Sequence, residues 1–204
     1  MEKEQILGFN VSTYTSDLLL KEIFKDYLKN EQLFIVNINP EIAVSNFKNE
    51  EFKNILNKQK YQIPDGTGIV WASKKNNGNI KERITGIDFM QKICEESQKY
   101  SSRIFLYGAK QAVIENAASE LKLKYPKLNI VDICNGYEDE DKVIKKIKKS
   151  NPDIIFIGLG SPKQEDFIIK NMNFLHQEIK FKELKLQMQL IIIAVNVMTP
   201  MPKP

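Results

Sequence analysis

Asp65 stands in the run Ile63-Pro64-Asp65-Gly66-Thr67-Gly68, and a carboxylate on such a turn is the first candidate for proton chemistry in this chain. Pro64 fixes its own φ and holds Ile63 extended, which suits the end of a strand. Gly66 and Gly68 free the backbone that follows and leave room for a ligand to come close. A carboxylate presented there can accept a proton from a substrate hydroxyl. Pro-Asp-Gly is also an ordinary solvated turn, so this run alone admits both readings.

A second set of candidates lies in Gly158-Leu159-Gly160-Ser161-Pro162-Lys163-Gln164-Glu165. Gly158 and Gly160 allow a sharp turn after a strand. Ser161 then reads as a helix N-cap, Pro162 suits the first turn, and Gln164 stands at capping-box spacing. Free amides at that helix start, with Lys163 beside them, can receive a diphosphate; a well-capped helix without a ligand is the alternative. Gly108-Ala109-Lys110 repeats the geometry more weakly. Tyr107 or Tyr137 can stack on a base or simply pack. Arg83, before a glycine-containing turn, can pair with phosphate, or with Asp88 or Glu82. These glycine spacings match neither a dinucleotide fingerprint nor a P-loop. The acidic run Glu138 to Asp141 reads as negative charge at the start of a lysine-rich helix rather than as a metal site. Cys94, Cys134 and His176 have no zinc-ligand spacing, and both cysteines sit beside isoleucine, as buried reduced thiols do.

Strand and helix patterns alternate around these loops. Ile6 to Val11 reads as one short extended run, and Ser16 or Asp17 as the cap of a helix carrying Leu19, Ile23 and Tyr27. Leu33 to Ile38 is a buried strand. A single helix follows, with Ile42, Val44, Phe47, Phe52 and Ile55-Leu56 on its stripe. After the Asp65 turn come a short apolar stretch, Ile69 to Ala72, and a polar loop from Ser73 to Lys81. Helices are expected over Ile87 to Tyr100, Gln111 to Lys124 and Asp139 to Lys149, and strands over Arg103 to Tyr107, Asn129 to Ile133 and Asp153 to Ile157. This alternation predicts an α/β fold, a Rossmann-like open and mainly parallel sheet with helices on both faces. Ligands of such sheets bind beyond the carboxyl ends of the strands, where every candidate loop falls.

The 204 residues suffice for one large domain, with 42% hydrophobic and 27% charged residues as in ordinary globular proteins. A formal net charge of +4 permits anionic ligands but does not argue for nucleic acid. Met1 to Gln5 lacks the apolar core of a signal peptide, and Leu190 to Val195 is too short to span a bilayer. The expectation is a cytoplasmic protein with at most peripheral membrane contact.

Asn39-Pro40-Glu41, Pro64 to Gly68, Arg83 to Asp88, Phe105 to Ala109 and Gly158 to Glu165 fall in the order seen in the WecG/TagA/CpsF glycosyltransferases. The chain resembles that family over residues 6 to 175, most of all its TagA-like N-acetylmannosaminyltransferases. The resemblance implies an inverting, metal-independent transfer of N-acetylmannosamine from its UDP derivative to undecaprenyl-diphosphate-linked N-acetylglucosamine, the wall teichoic acid linkage step. No cofactor is implied. The resemblance puts the base at Asp65, phosphate or sugar contacts at Arg83 and Gln164, and the pocket wall at Asn39 and Thr67. Gly108, Tyr137, Gly160 and Lys163 complete the expected substrate-binding set. The enzyme is expected at the inner face of the plasma membrane, and a homo-oligomer is among the expected states.

From about Leu175 the chain departs from the family pattern of a strand, a glycine-rich segment and a basic amphipathic region. Residues 1–175 are therefore read as the glycosyltransferase domain and 176–204 as a divergent or truncated tail. An alternative follows from the tail: a nucleotide-sugar-binding protein with weak or no turnover.

Overall fold

The computed structural model describes residues 2–29, 31–177 and 191–194, with backbone only for 172–177 and 191–194. The chain opens with a hairpin, β1 (Lys3–Ile6) and β2 (Phe9–Ser12), where a single extended run was expected. Leu7 and Gly8 both take positive φ, the two-residue turn whose twist matches paired strands. Helix α1 (Ser16–Tyr27) is capped by Thr15, one residue before the expected cap, whose side chain accepts from the Leu18 amide.

Strand β3 (Leu33–Ile38) is buried along its whole length. The single helix expected after it is two helices, α2 (Pro40–Ser45) and α3 (Glu50–Asn57). The apolar stripe is interrupted at Asn49, whose Oδ1 accepts from the Phe52 amide at 3.1 Å and starts a new helix. Strand β4 (Tyr61–Pro64) leads into α4 (Thr67–Lys75), which takes up the start of the expected polar loop. Lys74 and Lys75 in its last turn suit the negative end of a helix.

The second half follows the expected alternation: α5 (Gly86–Ser97), β5 (Arg103–Gly108), α6 (Gln111–Lys124), β6 (Asn129–Cys134), α7 (Glu140–Ser150), β7 (Ile154–Gly158) and α8 (Lys163–Gln177). Strand β8 (Ile191–Ala194) lies within the stretch read as a tail, yet it enters the middle of the sheet. The order is β4-β3-β8-β7-β5-β6, and every pairing is parallel. The remainder of 178–204 lies outside the described residues.

Alternate strand residues face opposite cores. On one side Leu33, Ile35, Ile63, Leu106 and Phe156 meet α1, α5 and α6 through Leu19, Ile23, Phe89, Ile93, Ile114 and Leu121. On the other, Phe34, Val36, Ile38, Phe105, Ile155 and Ile157 meet α2, α3, α4, α7 and α8, and the hairpin adds Phe9 and Val11. The fold is thus an open, Rossmann-like α/β sheet clothed on both faces. Cys94 and Cys134 are buried free thiols, and burial pushes their pKa values up to about 12 and about 11. Among the described residues no helix is long and apolar enough to cross a membrane.

Candidate active site

Two groups of the expected site residues form at the carboxyl edge of the sheet. The first is built on β3 and β4. The Asp65 amide donates to the Ile38 carbonyl at 2.9 Å, and the Ile84 amide to the Pro64 carbonyl at 2.9 Å. These bonds bring the end of β3, the Asp65 turn and the Arg83 loop together. Gly66, at φ +91°, caps α4 in a conformation that disfavours a side chain. A Cβ at Gly68 would lie 2.6 Å from Pro40 Cγ, so the starts of α2 and α4 touch. Asn39 sits at that junction as the N-cap of α2, its Oδ1 accepting from the Ile42 amide at 2.8 Å. Its side chain therefore serves as the cap of α2, where the resemblance had placed it at the pocket wall.

Thr67 and Arg83 line one open pocket of about 280 Å³ together with Val70, Trp71 and Lys74. Of the two carboxylates weighed as partners for Arg83, Asp88 receives the Thr85 hydroxyl at 2.5 Å and Glu82 receives the Ser16 amide at 3.2 Å. Arg83 is exposed and has no ion pair among the described residues, so its charge is available to a ligand.

The second group is built on β5 and β7. The Ala109 amide donates to the Gly158 carbonyl at 3.2 Å, and the Gly136 amide to the Ala109 carbonyl at 2.9 Å. Gly108 is required here, because a Cβ would lie 2.2 Å from the Gly158 oxygen. Ala109 holds a left-handed φ of +56° within this lock, a conformation that non-glycine residues keep only where the surroundings impose it. Gly160 and Lys163 lie exposed at the start of α8. Tyr137 is 77% exposed on the loop after β6, whereas Tyr107 is 4% exposed and packs on Phe167 with ring centroids 5.0 Å apart. Of the two tyrosines, only Tyr137 keeps its ring exposed.

The expected capping box at α8 does not form. The Ser161–Pro162 peptide is cis, the helix begins at Lys163, and the Gln164 amide nitrogen donates to the Gly160 carbonyl at 3.1 Å. Gln164 is fully buried and gives its Nε2 proton to Glu165 Oε1 at 3.0 Å, so the Ser161 spacing is coincidental. Glu165 is buried too, and burial raises its pKa against the hydrogen bonds from Gln164 and Ser161. The acidic run serves α7: Asp139 caps it, Glu138 pairs with Lys146 at 2.9 Å, and Glu140 with Lys170 at 2.9 Å.

Three strand steps separate β4 from β7, about 14 Å at the usual spacing. The two groups thus flank β8 at a span that an extended ligand can bridge. Two residues at this edge escaped the sequence reading. Trp71 and Lys74 share the Thr67 face of α4 at helical spacing, a signal lost once Ser73 onward was taken as loop. Asn37, only 1% exposed near the end of β3, has no partner for either amide atom among the described residues. It opens the strand-end run Asn37 to Glu41, a candidate loop by its place in the sheet, but nothing in that run marks it as buried and unpaired.

The chain matches the glycosyl transferase WecG/TagA/CpsF family over residues 4–181. It is 36% identical over 152 residues to the N-acetylglucosaminyldiphosphoundecaprenol N-acetyl-beta-D-mannosaminyltransferase of Bacillus subtilis (strain 168), covering 71% of this chain and 59% of the relative. It is 34% identical over 176 residues to the protein of that name from Staphylococcus aureus (strain NCTC 8325 / PS 47), covering 84% of this chain and 68% of the relative. The chain thus spans about three fifths to two thirds of the length of these relatives. With the family match running through all but the first few residues of its described domain, the chain belongs to the WecG/TagA/CpsF family of glycosyl transferases.

Proposed function

We propose that this chain carries an inverting glycosyltransferase activity, moving N-acetylmannosamine from UDP-N-acetylmannosamine to undecaprenyl-diphosphate-linked N-acetylglucosamine. The observation that carries this reading is the joining of the Asp65 turn, Asn39 and the Arg83 loop at the ends of β3 and β4, beside the Thr67–Arg83 pocket. The names of the two relatives supply the donor sugar and the lipid acceptor.

Asp65 takes the proton of the acceptor hydroxyl as its oxygen bonds to the anomeric carbon of the donor. The bond to the UDP oxygen breaks on the opposite face, and the configuration inverts. UDP is held across β8 by Gly108, Gly160 and the Lys163 cation of the second group, with Tyr137 placed for the base, while the buried Gln164 acts from behind by bonding to the Gly160 carbonyl and to Glu165. Negative charge on the leaving diphosphate is met by Lys163 and by the start of α8, and Arg83 serves a phosphate or sugar of the bound substrates. The acceptor is membrane-borne, so the enzyme works peripherally at the inner face of the plasma membrane, where it contributes the wall teichoic acid linkage unit.

The test is UDP release from UDP-N-acetylmannosamine with a short-chain lipid-linked N-acetylglucosamine acceptor. Asp65→Asn should lower the rate by about a hundredfold or more, with UDP affinity and thermal stability unchanged. Transfer by Asp65→Asn at a near wild-type rate removes Asp65 as the base.

A further inference from the structure

Trp71 is the single tryptophan of the chain, and it stands 66% exposed on the outer face of α4. Burying an aromatic of that size is strongly favourable, so leaving it in water invites an apolar partner. Val70 and Trp71 make one wall of the pocket, and Lys74 and Arg83 bring positive charge to it. Neither cation has an ion pair among the described residues. An apolar wall next to unpaired cations complements a molecule that is anionic at one point and greasy beyond it.

Helix α4 also sets the order of the parts. It starts at Thr67, two residues after Asp65, and each residue advances the helix about 1.5 Å. Trp71 lies about 6 Å and Lys74 about 10 Å along the axis from Thr67. A sugar whose hydroxyl meets Asp65 and whose long axis runs along α4 would bring the group attached to its far side alongside Trp71 and Lys74. The pocket, about 280 Å³ and open, is at the small end for a drug-sized ligand and takes only the head of a long chain.

We propose that the outer face of α4 seats the polyprenyl diphosphate of the acceptor, with Lys74 and Arg83 on the diphosphate and Val70 and Trp71 against the first isoprene units. The inference rests on the acceptor being a lipid diphosphate, as proposed above. It adds the place where that lipid binds, separate from the loops assigned to UDP.

Trp71 itself reports the result, since no other tryptophan contributes to the emission. Titration with farnesyl diphosphate should shift its fluorescence to the blue and saturate. UDP and inorganic diphosphate should leave the emission maximum in place. Lys74→Glu should weaken farnesyl diphosphate about tenfold or more, with UDP affinity unchanged and the melting temperature lowered by no more than a few degrees for a negative charge at the end of α4, because it replaces a charge-assisted contact with a repulsive one. An unmoved emission maximum, or wild-type affinity in Lys74→Glu, overturns the proposal. An equal shift with anionic phospholipid vesicles free of polyprenyl diphosphate also overturns it, making this face a bilayer contact instead. UDP release measured in parallel separates the two readings: transfer that needs Asp65 but ignores Lys74 defeats the lipid seat and leaves the glycosyltransferase standing.

Discussion

Gly68→Ala tests whether the contact between α2 and α4 sets the position of Asp65. The added Cβ would lie 2.6 Å from Pro40 Cγ and 3.4 Å from Pro40 Cβ. Carbon pairs settle at about 3.5–4.0 Å, so about 1 Å of separation must be found. Pro40 cannot supply it by changing rotamer, because its ring is fixed at the first turn of α2. The start of α4 must move instead, and Asp65 lies just before it. Overpacking of this kind costs about 1–3 kcal/mol. Alanine regains about 1 kcal/mol over glycine within a helix. The net loss of stability is therefore about 0–2 kcal/mol, too little to unfold a domain of ordinary stability. Misplacing a catalytic group by about 1 Å can cost on the order of a hundredfold in rate. The measurements are UDP release at saturating donor and thermal unfolding by circular dichroism. The expected result is a rate lowered far more than the melting temperature. A rate within about twofold of wild type would show that Asp65 is held by something other than this contact.

Two further predictions concern buried carboxyls. Burial alone would raise the pKa of Asp26, but hydrogen bonds from Lys60 at 2.5 Å and from the Tyr61 hydroxyl outweigh it and hold the carboxyl below its ordinary value. Asp26→Asn should cost about 1–2 kcal/mol near pH 7, and the deficit should shrink as pH falls through the lowered folded pKa; urea unfolding at a series of pH values measures it. Glu165 is the opposite case, because burial raises its pKa and its Oε2 has no hydrogen-bond partner among the described residues. Glu165→Gln should be more stable than wild type at pH 7–8, with the advantage disappearing below about pH 4, where the unfolded carboxyl is also protonated. A constant difference across that range would mean that Glu165 carries no buried charge.

The expected strands were largely legible because those of a two-faced parallel sheet are nearly all apolar, as in Leu33–Ile38 and Ile154–Gly158. Helix α4 was harder. Gly66 and Gly68 advertise a turn, and the serine and lysines that follow resemble loop, while the contact of Gly68 with Pro40 is visible only in space. The carboxylate turn and the glycine loops could be found from residue chemistry, since turns and helix starts are written locally. What Ser161 would do was misread, because a capping box depends on where the helix begins, and α8 begins two residues later. Asn37 and Glu165 stood in candidate loops, but that they are buried was out of reach: burial next to a site is a property of packing that neighbouring residues in sequence do not encode.

Strand β8 has a consequence for how the molecule comes to be assembled. Strands β3 and β7 do not pair with each other; each pairs with β8. Until residues 191–194 arrive, the sheet consists of two ribbons, β4-β3 and β7-β5-β6, each with an open backbone edge facing the other. Unpaired edges of this sort recruit strands from other chains. The last strand to leave the ribosome among those described is thus the one that locks the ribbons together. Nascent chains halted between β7 and β8 should be the species most prone to aggregate and most dependent on chaperones. Protection of the β3 and β7 amides from hydrogen exchange should rise together, at the moment β8 docks.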